Sequence, residues 1–294
     1  VSDATVDYLN PLPPIRKAAA NVTFSMQRFD FAVHSGQVGE LRIEEGSVNI
    51  WDIGAPREML AVSALVRGPV EDALRILAHP RLKLLSRVGL GVEGAAGRHA
   101  TRLRVTLPLL DALKAEDVAV SATSNLSGLA LADVLNGQGI SKGEVSLRVD
   151  NRSLSAQGTA DFSDAPARFV WTENFEERSA LKRRLSAGIT ANARLRNVFE
   201  VDFPEYLTGP VPSRILLEER RDGLQTVTAD VDLRQASLTV PGFDWTKMPG
   251  QPGKGKVVVV LKNGTLSAIP SFSVEAGDFR TAGNLTFRPG GREI

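Results

Sequence analysis

Three histidines, His34, His79 and His99, and no cysteine are what this chain offers a metal ion. They lie far apart, none sits in a ligand-spaced pair, and a shared site would need all three to converge. They read as isolated surface or satisfied core residues. Without a thiol there is no disulfide, no thiolate metal site and no cysteine nucleophile. Asp230 and Asp232 lie two residues apart, a spacing that puts both carboxylates on one face of a strand, where a pair can do acid–base work. Alternating acids on a solvated strand face are the commoner meaning of that pattern. Gly89, Gly91, Gly94 and Gly97 suggest a phosphate loop, but no lysine-serine or lysine-threonine follows them, so a flexible crossover is expected. Ser153, Ser155 and Ser163 have no histidine nearby in sequence and no nucleophile elbow around them. The residues predict no catalytic group, no metal and no cofactor, hence no enzyme.

What the chain has in abundance is aliphatic surface at period two. Val227, Ala229, Val231 and Leu233 fall on one side of a strand, with Thr226, Thr228, Asp230 and Asp232 on the other. After Gln235 the apolar set moves to Ala236, Leu238 and Val240, which predicts a bulge or tight bend. Leu103, Val105 and Leu107 alternate with Arg102, Arg104 and Thr106, and Val145, Leu147 and Val149 repeat the pattern. These three sets, with Val227, Val231 and Leu233 from the first, are the candidates for an apolar binding surface; ordinary core is the competing reading. Trp171 and Trp245 are read as ending strands beside apolar rows, as plugs at a sheet edge.

Elements able to position these rows follow along the chain. Residues 1–20, with Pro11, Pro13 and Pro14, read as a connector, and 21–294 as the β region, with possible sub-units 21–115 and 116–294. Val22, Phe24 and Met26, then Phe29, Phe31 and Val33, alternate in opposite parity, which predicts a bulge between them. Glu44-Glu45-Gly46 predicts a hairpin turn. Met59 to Arg67 reads as a strand. Gly68 to Leu77 changes period, with a proline at the start, acids after it and Val70, Leu74 and Leu77 on one face, so a helix is expected there, ended by Pro80 before Leu82 to Val88. Pro108 to Lys114 suggests a further helical turn. Asp150-Asn151 and Lys262-Asn263-Gly264 predict hairpins. Glu173 to Arg184 reads as a solvated charged stretch, helix or loop. About 16 strands would extend a sheet by roughly 75 Å, and one so long must twist, curl or close.

Composition narrows the partners. Of the 294 residues 43% are hydrophobic but only 6% aromatic, and the net charge is +1 without a long basic block. Aliphatic surface suits acyl chains better than bases, and nucleic acid is not an expected partner. No stretch approaches the roughly 18 apolar residues of a membrane span.

Leu147 to Phe175, Tyr206 to Val211 and the run from Ala229 to Gly253 resemble the periplasmic region of large AsmA-like envelope proteins of the YhdP type. Gly68-Pro69-Val70-Glu71-Asp72-Ala73-Leu74 fits the short helix of that family. The resemblance covers roughly Phe31 to Phe287. It implies a mainly β protein, a long, twisted and curled antiparallel sheet forming an apolar groove with a few short helices. It also implies a periplasmic location with an inner-membrane anchor outside these residues. The start at Val1 and the abrupt Arg292-Glu293-Ile294 end read as those of a piece of a longer protein, with any anchor upstream and the sheet continuing downstream. The implied function is binding and conducting phospholipid between the inner and outer membranes of a Gram-negative envelope. It names no protein partner and supplies no catalytic residue. The alternative is an envelope assembly or scaffold protein that uses the sheet to hold protein partners.

Overall fold

Alternation of apolar and polar residues over most of the chain gives strands, and short turns of the right chemistry fold them against one another. A computed structural model describes all residues except 9, 81, 83, 84, 86, 87, 111, 136, 200 and 288–294. The chain is mainly β; the described residues form sixteen strands in one antiparallel sheet, three in a second, and two short α-helices. Contacts divide it into two units, Val1–Ala156 and Gln157–Ile294.

The first unit holds β1 (Ala4–Val6), β2 (Ile15–Ser25), β3 (Arg28–Val38), β4 (Leu41–Trp51), β5 (Met59–Pro69), α1 (Val70–Ala78), β6 (Ala96–Pro108), β7 (Ala119–Leu135) and β8 (Gln138–Asp150), with its strands paired in chain order. The division falls within β9 (Ser153–Phe162). The first twenty residues therefore carry β1 and the start of β2. In the second unit β10 (Ala165–Asn174), β11 (Leu181–Ala191), β13 (Val211–Arg220), β14 (Leu224–Asp232), β17 (Gly253–Lys262), β18 (Thr265–Ala276) and β19 (Phe279–Thr286) continue the large sheet in that order. The missing numbers, β12 (Leu207–Thr208), β15 (Ser237–Val240) and β16 (Trp245–Lys247), form the small sheet in the order β12-β15-β16, and α2 (Ala193–Val198) precedes β12.

Turn chemistry sets the pairing. Asn263 and Gly264 have φ of 51° and 79°, the left-handed pair that a two-residue turn between twisted strands requires. At the β8–β9 turn Asp150 Oδ1 accepts from the backbone N–H of Arg152 and Ser153, each at 2.8 Å. Those bonds hold its carboxyl below the usual range, the Arg152 N–H first. The parity change near Met26 is a turn as well, and not a bulge: β2 and β3 are joined by Met26-Gln27, and Phe24 faces Phe29. A two-residue turn reverses parity just as an inserted residue does, which is why the two look alike in sequence.

Three other expectations are corrected. Gly46 is not in a turn. It lies within β4, whose pairing with β5 shifts between Ile43 and Glu45, and a Cβ there would stand 2.6 Å from the Ser63 carbonyl oxygen. The preceding turn is instead at Gly39-Glu40, where Gly39 has φ 58°. Pro108 ends β6, and among the described residues that follow it helical geometry begins only with a 3-10 turn at Ala115–Asp117. The stretch from Glu173 to Arg184 is the end of β10, a turn and the start of β11. Arg221 fixes that turn by donating to the carbonyls of Asn174, Glu176 and Ser179.

α1 forms as its sequence predicts. Pro69 precedes it with φ −64°, Glu71 and Asp72 fill its first turn, and His79 N–H closes it on the Ile76 carbonyl. It packs on β5 and β6 and buries Val70. Leu82 to Val88 falls partly outside the described residues, and Arg292-Glu293-Ile294 lies wholly outside them. Near Gln235 the chain leaves the large sheet: β14 ends at Asp232 and Ser237–Val240 pairs instead with β12 and β16.

Candidate functional site

Register turns the period-two pattern into rows that cross strands on one face. In the first unit Val22, Phe31, Val48, Val62, Val105 and Val120 stand opposite one another across six strands. All six are half-buried. On one side of this row runs Phe24, Phe29, Ile50, Leu60 and Leu107, with Phe24 73% exposed and its ring stacked on Phe29. On the other side run Ala64, Leu103, Ala122 and Val149. The opposite face of the same strands carries Ser47, Ser63, Arg104, Ser121 and Asp150. Leu103, Val105, Leu107, Leu147 and Val149 are thus brought together on one half-buried face.

Val145 shares that face but is buried to 5% exposure, in a row with Gly68, His99 and Leu126. At this end of the strands the aliphatic row gives way to polar groups. His99 Nδ1 lies 2.8 Å from Thr101 Oγ1, which lies 2.7 Å from Ser124 Oγ. His99 Nε2 is buried and has no hydrogen-bond partner among the described residues. Burial pushes the His99 imidazole below its ordinary range, and the Arg98 charge acts in the same direction. The folded state therefore holds His99 neutral while the unfolded chain takes up a proton near pH 6.5. Its contribution to stability is fully present above about pH 6.5 and is lost as pH falls through the depressed folded value. Thermal melts between pH 8 and 5 are expected to show a fall in Tm for the parent chain that His99→Gln lacks over that window; parallel curves would contradict this reading.

The second unit repeats the design. Trp171, Leu185, Leu217, Val227 and Val259 form one row, and Phe169, Ala187, Ile215, Ala229, Val257 and Phe272 form the next, all half-buried. Beyond them come Ile189, Ser213, Val231 and Gly255, where Val231 lies over the glycine and a Cβ would meet its Cγ2 at 2.9 Å. Val227 and Val231 therefore lie on this face. Leu233 does not stay open. At 4% exposure it is core, packed with Val211 and Ala236 against Leu207 and Leu238 of the small sheet. Leu195 of α2 adds to the same cover with Ala165 and Ile189. The competing reading of ordinary core thus describes Val145 and Leu233.

Lys247 pins this cover. It is 1% exposed, and its ammonium donates to the carbonyl oxygens of Ala236, Met248 and Arg234 at 2.8, 3.2 and 3.3 Å. Burial holds it below the ordinary lysine range, with Asp232 opposing. Arg196, also buried, is held by Asp202 at 2.8 Å and the Gly209 carbonyl. Trp245 opens β16 instead of ending a strand, and its ring lies 4.8 Å from Phe279.

At the other margin of the second unit the oily face ends in paired charge. Glu173, Arg183, Glu219 and Gln225 stand opposite one another in the row after Trp171. Glu173, 1% exposed, accepts from Arg183 Nε at 2.7 Å and Trp171 Nε1 at 3.2 Å. Glu219 accepts from Lys182 at 2.8 Å and lies 3.4 Å from Arg183. Trp171 sits mid-strand, with the Arg183 guanidinium 5.8 Å from its ring centroid. Residue type alone makes the stretch from Glu173 to Arg184 a solvated face. Parity is the available signal to the contrary, since Glu173 follows Phe169 and Trp171 at period two.

The two aspartates each have a partner of their own. Asp230 pairs with Lys256 at 3.3 Å, and Asp232 accepts the Arg234 N–H. Among the described residues no three His, Asp or Glu side chains gather as a metal site, and no helix is long and apolar enough to cross a membrane. A family model described as YhdP protein matches residues 1–272. No curated protein and no solved structure matches the chain.

Proposed function

The chain belongs to the YhdP family, and on that premise we propose that its aliphatic face binds phospholipid and conducts it between the inner and outer membranes of a Gram-negative envelope, in the periplasm. The observation that carries this reading is the six-strand row from Val22 to Val120, with its counterpart from Trp171 to Val259, neither of them fully buried. Contiguous apolar surface left partly in water marks an interaction site. Shielding each methylene is worth about 0.8 kcal/mol, so an acyl chain of about 16 carbons gains on the order of 12 kcal/mol by lying against this face, across successive rows. Aliphatic contact is non-directional, so a chain can slide from strand to strand at little cost. Leu103, Val105, Leu107, Leu147 and Val149 line the proposed face in the first unit and Val227 and Val231 in the second, while Val145 and Leu233 are buried.

Native mass spectrometry of the full chain, purified from bacterial envelope in mild detergent, is the test. Bound phospholipid is expected, and its occupancy should fall about tenfold when Val105→Asp and Val227→Asp put carboxylates on the two rows. A folded chain without lipid would overturn the proposal. The second reading, a scaffold for envelope proteins, is favoured by Phe203, Tyr206, Phe243 and Met248, which are 51% to 80% exposed in the segments that carry the small sheet.

A further inference from the structure

The apolar strip of the second unit has two unlike margins. One lies beneath α2 and the small sheet, where Val211, Leu233, Ala236 and Leu195 are at most 4% exposed. The other is the ion row, whose acids are more buried than its cations. Glu173 and Glu219 are 1% and 13% exposed as side chains, against 28% for Arg183 and 35% for Lys182. The pairing of β11 with β13 shifts between Leu181 and Arg183, and the irregularity falls at Lys182. Glu173 and Glu219, with the Trp171 ring over Arg183, thus hold two cations at the edge of an oily surface.

Between these margins β13 runs from Ser213 to Leu217, a rise of about 14 Å at roughly 3.4 Å per residue. That is close to half of the roughly 30 Å hydrocarbon core of a bilayer, the depth spanned by one acyl layer. A lipid lying along the strands would therefore bring its chain ends to the edge of the cover as its polar end reached the row.

Resting on the lipid-binding reading above, we infer that Arg183 and Lys182 form a docking point for the phosphodiester of a glycerophospholipid whose acyl chains lie along the strands of the second unit towards α2 and the small sheet. Charge-assisted N–H···O bonds to phosphate supply the recognition. The two acids balance the two cations, so an anion is held without a deep electrostatic well and can be released onward.

The test is photolabelling of the full chain with two phosphatidylethanolamine probes, one with a diazirine on the headgroup and one with it at the acyl terminus. Labelled peptides are then mapped. The expected result is headgroup label on peptides from 171–184 and 217–225, and acyl label near Leu207, Leu233 and Leu238. Lys182→Gln, at the more exposed cation, should cut headgroup labelling about tenfold and leave acyl labelling in place, with Lys182→Arg restoring it. Label from both probes with reversed or uniform positions would overturn this orientation while leaving lipid binding standing. Labelling no stronger than that of a diazirine without a lipid would overturn both. Free inorganic phosphate that competes away headgroup label without affecting acyl label would support the phosphodiester contact; no competition at any concentration, together with an unchanged Lys182→Gln variant, would overturn it.

Discussion

Lys247→Met is expected to destabilise the second unit by about 4 kcal/mol, measured as a lowered urea midpoint together with faster proteolysis between residues 233 and 252. Methionine keeps most of the apolar stem, which lies against Gly253, where a Cβ would meet Lys247 Cε at 2.9 Å. It removes the ammonium that satisfies the carbonyls of Arg234, Ala236 and Met248. Each buried acceptor left without a donor costs about 1–3 kcal/mol, and hydrogen bonds to a charged group lie at the strong end of the range. The loss should be local first. Lys247 joins the β14 exit to β16, so its removal frees the small sheet and exposes Leu233 and Val211. A change below about 1 kcal/mol would mean that the carbonyl cage contributes little and that apolar packing alone holds the cover.

Glu173→Gln is expected to cost about 3 kcal/mol, because it leaves the Arg183 guanidinium beside a neutral amide where a buried carboxylate had paired with it. Replacing both partners should do less harm than replacing one. Glu173→Leu with Arg183→Met puts two apolar side chains in a row that already adjoins Trp171 and Leu185, and such exchanges of a buried pair are often close to neutral. A double-mutant cycle from chemical denaturation measures this. Costs of the single and double replacements that simply add would show that the two residues do not act as a pair.

The elements were largely legible in the sequence because turn chemistry and period two agree. Asn263-Gly264 lies between two alternating runs and folds as the hairpin it announces, and α1 follows Pro69 and its acids. What sequence pattern alone does not carry is register. That Val105 stands opposite Val62 and Val120 depends on pairing across strands, and a turn such as Met26-Gln27 imitates a bulge by reversing parity. Gly46 illustrates a second gap. Its smallness serves close packing on Ser63 and not a turn, and the two uses are identical in one dimension. Charged residues mislead for a third reason. Glu173 and Lys247 have the composition of surface, but their burial is made possible by a partner from another strand or by carbonyls of a separate segment. Leu233 errs the other way: it continues the odd parity of Val227 and Val231, yet the chain turns back over it at Ala236.

The central claim is that one face of these strands carries lipid and the other does not. Photoreactive benzoylphenylalanine placed singly at Val105 and Val227, and at Arg104 and Asp230 on the opposite face, tests it directly in growing Gram-negative cells. Phospholipid adducts at Val105 and Val227, and none at Arg104 and Asp230, are the predicted result. Protein adducts without lipid at Val105 and Val227, or lipid adducts equally at all four positions, would contradict it.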